Sequence, residues 1–122
     1  MKVLVDTSVW VAHFKHRNEQ LVELLEREQV VCHPSIVIEV ACGTPPNRRA
    51  VLGRLAELEA APVANIEEVL DLIERQALHR RGCGMVDIGL LAATLIAENM
   101  QLWTYDKRLQ TIAADLGCEY SR

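Results

Sequence analysis

Asp6, Glu39, Asp87 and Asp106 are the residues of this 122-residue chain best placed to do chemistry, because each stands where an acid is least expected. VLVDTSVWVA holds Asp6 as its lone charge, SIVIEVACG only Glu39 and GCGMVDIGLLAATLIA only Asp87. Asp106 follows the apolar run QLWTY and meets Lys107 at once. A buried, unpaired carboxylate costs several kcal/mol or shifts its pKa until it is neutral. Several such residues together point to a cation that holds them. Carboxylates within a few ångströms repel by roughly 3–4 kcal/mol per close pair at an effective dielectric near 20. An all-oxygen donor set favours Mg²⁺ or Mn²⁺ over zinc.

These acids can act together only if the fold gathers them. Residues 2–5, 30–33, 62–64 and 101–105 read as strands, the third of them weak, with a further short strand at Cys118–Tyr120. Helices are expected over 7–15, 18–28, 34–42, 48–60, 66–80 and 86–98, with a last one from Asp106 to about Gly117. Asn18 is a cap for the second, and Asn65 with Glu68 forms a capping box for the fifth. Strands alternating with helices imply an α/β fold, a parallel sheet of about five strands flanked by helices on both faces. Ligands bind such sheets at the carboxyl ends of the strands. Asp6 and Asp106 lie there, Asp87 near the start of its helix and Glu39 about one turn into another. Asp6 and Asp106 can also serve simply as helix N-caps, and Asp87 as well, although Met85 and Val86 precede it. Glu39 has only apolar neighbours, which leave no evident solvated face.

The length fits one domain over residues 1–122, with a core of its own. Half the residues are hydrophobic and a quarter charged, the balance of a soluble globular protein. No apolar run approaches the roughly 20 residues of a membrane span, and the N-terminus does not read as a signal peptide. A net charge of −4 excludes whole-surface attraction to nucleic acid but leaves room for a basic rim. Arg80 and Arg81, leading into Asp87, and Lys107 and Arg108, after Asp106, are the candidate phosphate contacts, against solvated helix faces as the plainer account. Cys32, Cys42, Cys83 and Cys118 form no C-x-x-C pair and read as reduced cysteines in a cytoplasmic protein. Cys32 and Cys42 act there as small hydrophobes, and Cys83 is the one open to solvent. His33 reads as a strand-end residue, and His13, His16 and His79 as surface residues. No G-x-S-x-G elbow or Walker loop is present.

VLVDTSVWVAHF, VCHPSIVIEVACG, GCGMVDIGLLAATLIA and LWTYDKRL, in this order, resemble the PIN-domain toxins of the VapC type. The resemblance runs from Met1 to about Gly117. It implies that Asp6, Glu39, Asp87 and Asp106 bind Mg²⁺, with Mn²⁺ as a substitute, and that Thr7, Ser8 and Thr104 support them. The implied activity is endoribonucleolytic hydrolysis by a metal-activated water, leaving 5′-phosphate and 3′-hydroxyl ends. Asp6 and Asp106 would be the innermost ligands, and Glu39 or Asp87 would orient the water or take its proton. The implied partners are an RNA substrate (tRNA and rRNA among the candidates), a small VapB-like antitoxin and a second copy of the chain. Trp10, Phe14, Leu21 and Leu25 can line a groove for the antitoxin or be ordinary core. One position departs from the family pattern: Gly89 stands where close relatives often carry a histidine, two residues after the third acid. A catalytically inactive PIN-like module that binds RNA or protein is the alternative. A phosphoacceptor receiver domain fits less well, since VLVDTS has a single acid.

Overall fold

The computed structural model describes residues 1–121. Four parallel strands form one sheet in the order β3-β2-β1-β4: β1 (Lys2–Val5), β2 (Val30–Cys32), β3 (Glu59–Ala60) and β4 (Met100–Trp103). β1 is central. Val3, Leu4 and Val5 point alternately to the two sheet faces, yet all three are at most 1% exposed, so helices cover both sides. β1 runs through α1 (Thr7–Lys15) and α2 (Glu19–Glu26) to β2, and β2 through α3 (Pro34–Cys42) and α4 (Arg48–Glu57) to β3. From β3 the chain passes through α5 (Ile66–Gln76), a 3-10 turn at Leu78–Arg80 and α6 (Met85–Ile96) to β4, then into α7 (Lys107–Asp115). The core is aliphatic, with Leu4, Leu21, Ile36, Leu90, Leu91 and Leu102 fully enclosed.

Local chemistry sets the boundaries. Asn18 Oδ1 accepts the Leu21 amide at 3.0 Å, and the Asn65–Glu68 capping box is complete, with both reciprocal bonds below 3 Å. The third strand forms at Glu59–Ala60 rather than 62–64, so α4 stops at Glu57. Ala61 donates its N–H to the Cys32 carbonyl at 2.9 Å, but the next donor back from the β2 side would be Pro34, which has no N–H, so the ladder ends there. α5 ends at Gln76 because Ala77 turns left-handed (φ 51°). The expected fifth strand is reduced to one bridge. Cys118 and Tyr120 bond either side of Leu102, at 2.8 and 2.9 Å, and only Glu119 pairs with it.

The strand order places β2 and β3 on one side of β1 and β4 on the other. The connection therefore reverses direction between β1 and β4. A crevice opens at the carboxyl end of such a reversal, and Asp6 and Thr104 are the residues that immediately follow these two strands.

Candidate functional site

Asp6 is buried at the end of β1, its amide bonded to the Trp103 carbonyl of β4 at 2.8 Å. Its Oδ2 accepts the Ser8 hydroxyl at 2.7 Å, the Thr104 hydroxyl at 2.8 Å and the Ser8 amide at 3.4 Å. Those hydroxyls are themselves oriented. Thr104 Oγ1 accepts the Asp106 amide at 3.0 Å, and Ser8 Oγ accepts the Tyr105 amide at 3.0 Å. One carboxylate oxygen is thereby saturated, while Oδ1 takes part in none of these bonds. A carboxylate held by one oxygen with the other free suits a cation ligand.

Asp106 is exposed and caps α7, Oδ1 accepting the Leu109 amide at 3.1 Å. Glu39 projects from α3, its Oε1 receiving the Thr7 hydroxyl from α1 at 2.7 Å. The expectation that Glu39 lacks a solvated face is corrected: Glu39 is exposed and its neighbour Ile38 is 62% exposed. Of α3 only Ile36 and Val40 are buried, so the opposite edge of an apolar helix meets water. Asp87 sits half-buried in the first turn of α6, whose N-cap is Gly84 rather than Asp87 itself. Its pKa is raised, first by burial and then by repulsion from Asp106 and Asp6, with Glu39 adding a smaller push. A hydrogen bond with the Gly84 backbone opposes that rise. The fields of three acids, Asp6 just after β1, Glu39 on α3 and Asp106 capping α7, thus reach Asp87. Among the described residues, however, no three His, Cys, Asp or Glu side chains are already arranged to hold a metal ion.

The supporting hydroxyls of Thr7, Ser8 and Thr104 each donate to one of the acids. The basic candidates divide in two. Arg81 pairs with Asp115 at 2.8 Å, and Arg108 donates to the Gly82 carbonyl at 3.1 Å. Arg80 and Lys107 are exposed, without an ion pair among the described residues. Gly89 is open: a Cβ there would meet nothing within 4 Å.

Other expectations change in detail. Cys42 is exposed rather than a core hydrophobe, and Cys83 is half-buried. Leu21 belongs wholly to the core. His13 is not a plain surface residue: its Nδ1 accepts the Asn18 amide at 2.9 Å. His33 is buried and caps α3, its Nδ1 accepting the Ser35 amide at 3.1 Å. The residues missed by sequence reasoning are those that use the backbone, Gly82 and Gly84, and motif spacing carries no signal for them.

The parallel sheet with its order reversal defines an α/β domain, and residues 3–115 match the PIN domain family model. The chain belongs to the PIN domain family. It is 43% identical over 115 residues to the protein named Ribonuclease VapC32 in two strains of Mycobacterium tuberculosis, a match covering 94% of this chain and 93% of each relative.

Proposed function

We propose that this chain is a metal-dependent endoribonuclease and the toxin of a type II toxin–antitoxin pair. The observation that carries the reading is geometric: at the strand-order reversal Thr104 donates to Asp6 Oδ2 at 2.8 Å and accepts the Asp106 amide at 3.0 Å, which draws the ends of β1 and β4 into one acidic place. The names of the mycobacterial relatives support the choice of RNA. Asp6, Asp87, Asp106 and Glu39 would hold Mg²⁺, or Mn²⁺ in its place, since every donor is a hard oxygen. The ion would lower the pKa of a bound water and polarise the phosphoryl oxygen. Closing on it falls to rotations of the exposed Glu39 and Asp106 side chains, because Asp6 is already fixed by Ser8 and Thr104. Asp6 and Asp106 would be the innermost ligands of the ion. Asp87 or Glu39 orients the attacking water and takes its proton. Arg80 and Lys107 are the cations free to meet the RNA backbone, tRNA and rRNA being the candidate substrates.

The partner reading rests on a second place. Trp10, Phe14, Leu25, Val51 and Leu58 line a largely apolar cleft of about 440 Å³. Trp10 is buried there, and its indole N–H lacks a hydrogen-bond acceptor among the described residues. An amphipathic antitoxin helix laying its apolar face against these side chains fits this cleft. A homodimer and a cytoplasmic location complete the proposal; among the described residues no helix is long and apolar enough to cross a membrane.

The test is cleavage of RNA by the purified protein with Mg²⁺, beside Asp6→Asn and a chelator control. Activity confined to the Mg²⁺-loaded wild type, with 5′-phosphate ends, supports the reading. Products ending in 2′,3′-cyclic phosphate reject the water mechanism, and no cleavage of any RNA leaves a module that binds without cutting.

A further inference from the structure

We infer that Arg108, Gly82, Arg81 and Asp115 form a latch that positions Asp87 against Asp106, an inference that rests on the shared metal site proposed above. The two acids come from separate elements. Asp106 caps α7, whereas Asp87 enters from a glycine-rich loop, Arg81-Gly82-Cys83-Gly84, that opens α6. Glycines on both sides of Cys83 leave this loop little stiffness of its own. Two contacts tie it along α7. Arg108, in the first turn, donates Nη1 to the Gly82 carbonyl at 3.1 Å, and Asp115, the last helical residue, accepts from Arg81 at 2.8 Å.

The fit at Gly82 is close. Its φ of 73° is one that L side chains rarely adopt, and a methyl group there would stand 3.1 Å from Arg108 Nη1 and 3.4 Å from its Cζ. The guanidinium therefore lies against the bare face of the glycine as well as bonding its carbonyl. Gly84, two residues on, is the N-cap of α6 and bonds to Asp87. Displacing Gly82 thus moves the start of the helix that carries Asp87, while Asp106 stays on α7. Arg108 and Arg81 were candidates for phosphate contacts; the geometry assigns them a positioning role on the loop backbone.

The test compares Arg108→Ala, Asp115→Asn and Gly82→Ala with wild type in two measurements: Mn²⁺ affinity of the intact protein by electron paramagnetic resonance, and steady-state cleavage of an RNA oligonucleotide. A latch predicts that all three variants weaken Mn²⁺ binding roughly tenfold, the usual cost of losing a ligand's support. It also predicts a lower kcat with KM for RNA unchanged to within about twofold. Arg108→Ala and Asp115→Asn are the decisive variants, because alanine at Gly82, with φ 73°, is strained whatever Arg108 does. Circular dichroism checks that each variant is folded, and Arg108→Lys, if Arg108→Ala unfolds, should lose the flat contact and behave alike. Unchanged Mn²⁺ affinity in the variants, or a raised KM that steepens with salt in Arg108→Ala alone, overturns the latch in favour of phosphate contact. Absence of Mn²⁺ binding by the wild type overturns the shared site itself and the latch with it.

Discussion

Thr104 donates its hydroxyl to Asp6 Oδ2 at 2.8 Å and accepts the Asp106 amide at 3.0 Å, so a single side chain fixes two of the four acids. Thr104 is buried, and its bond to Asp6 is shielded from water. Thr104→Val keeps the shape and removes both partners. It should cost about 1–3 kcal/mol of stability in urea unfolding, the penalty for leaving buried polar groups unsatisfied, and should weaken divalent binding. Thr104→Ser should recover most of both. A valine variant as stable and as active as wild type would refute this role.

Asp87 carries the opposite signature. Burial and repulsion raise its pKa, so its ionised form strains the metal-free fold. Asp87→Asn should therefore melt at a higher temperature than wild type in chelator, yet gain less on adding Mg²⁺. Its cleavage rate should fall by on the order of 100-fold or more, the scale of losing a positioned acid–base group. Scanning calorimetry with and without Mg²⁺ reads both. A variant less stable in chelator would show that Asp87 is not strained.

Two histidines give the pH dependence. Burial, chiefly, holds His13 and His33 below the ordinary imidazole value of 6.5, and each offers an unprotonated Nδ1 to a backbone N–H. The folded state binds protons less readily than the unfolded chain. Stability should thus be full above about pH 6.5 and decline as the pH falls below it. At His33 the loss should approach about 1 kcal/mol, the worth of an N-cap. His33→Asn, which keeps an acceptor but does not titrate, should flatten that part of the profile in urea denaturation between pH 7.5 and 5.5. An unaltered slope would contradict the assignment.

The order of strands and helices was legible in the residues because β-branched runs, Asn18 and the Asn65–Glu68 box act locally. All four acids were legible too, each as a charge in or beside an apolar run. What escaped was long-range. Nothing in PVA or CEY announces that pairing falls at Glu59–Ala60, or that Leu102 takes only one bridge from Glu119. Glu39 was placed in an apolar context correctly but its exposure was not, because periodicity says little about a short, mostly apolar helix. The engagement of Arg81 and Arg108 with a loop depends on backbone carbonyls and a left-handed glycine, which composition cannot display.

Gly53 and Gly89 lie within helices, have ordinary backbone angles, and would meet nothing within 4 Å on gaining a Cβ. Gly53→Ala and Gly89→Ala should each stabilise the protein by about 0.5–1 kcal/mol by restricting the unfolded chain. Destabilisation by either alanine in thermal melts would mean that the helix needs the gap.

The claim beneath the rest is that Asp6, Glu39, Asp87 and Asp106 share one divalent ion. Anomalous diffraction from crystals soaked in Mn²⁺ tests it most directly. The account predicts a peak bonded to Asp6 and to at least two of the other three acids, lost in crystals of Asp6→Asn. A fully soaked crystal with no peak in this cup, or with manganese bound only elsewhere, would contradict it.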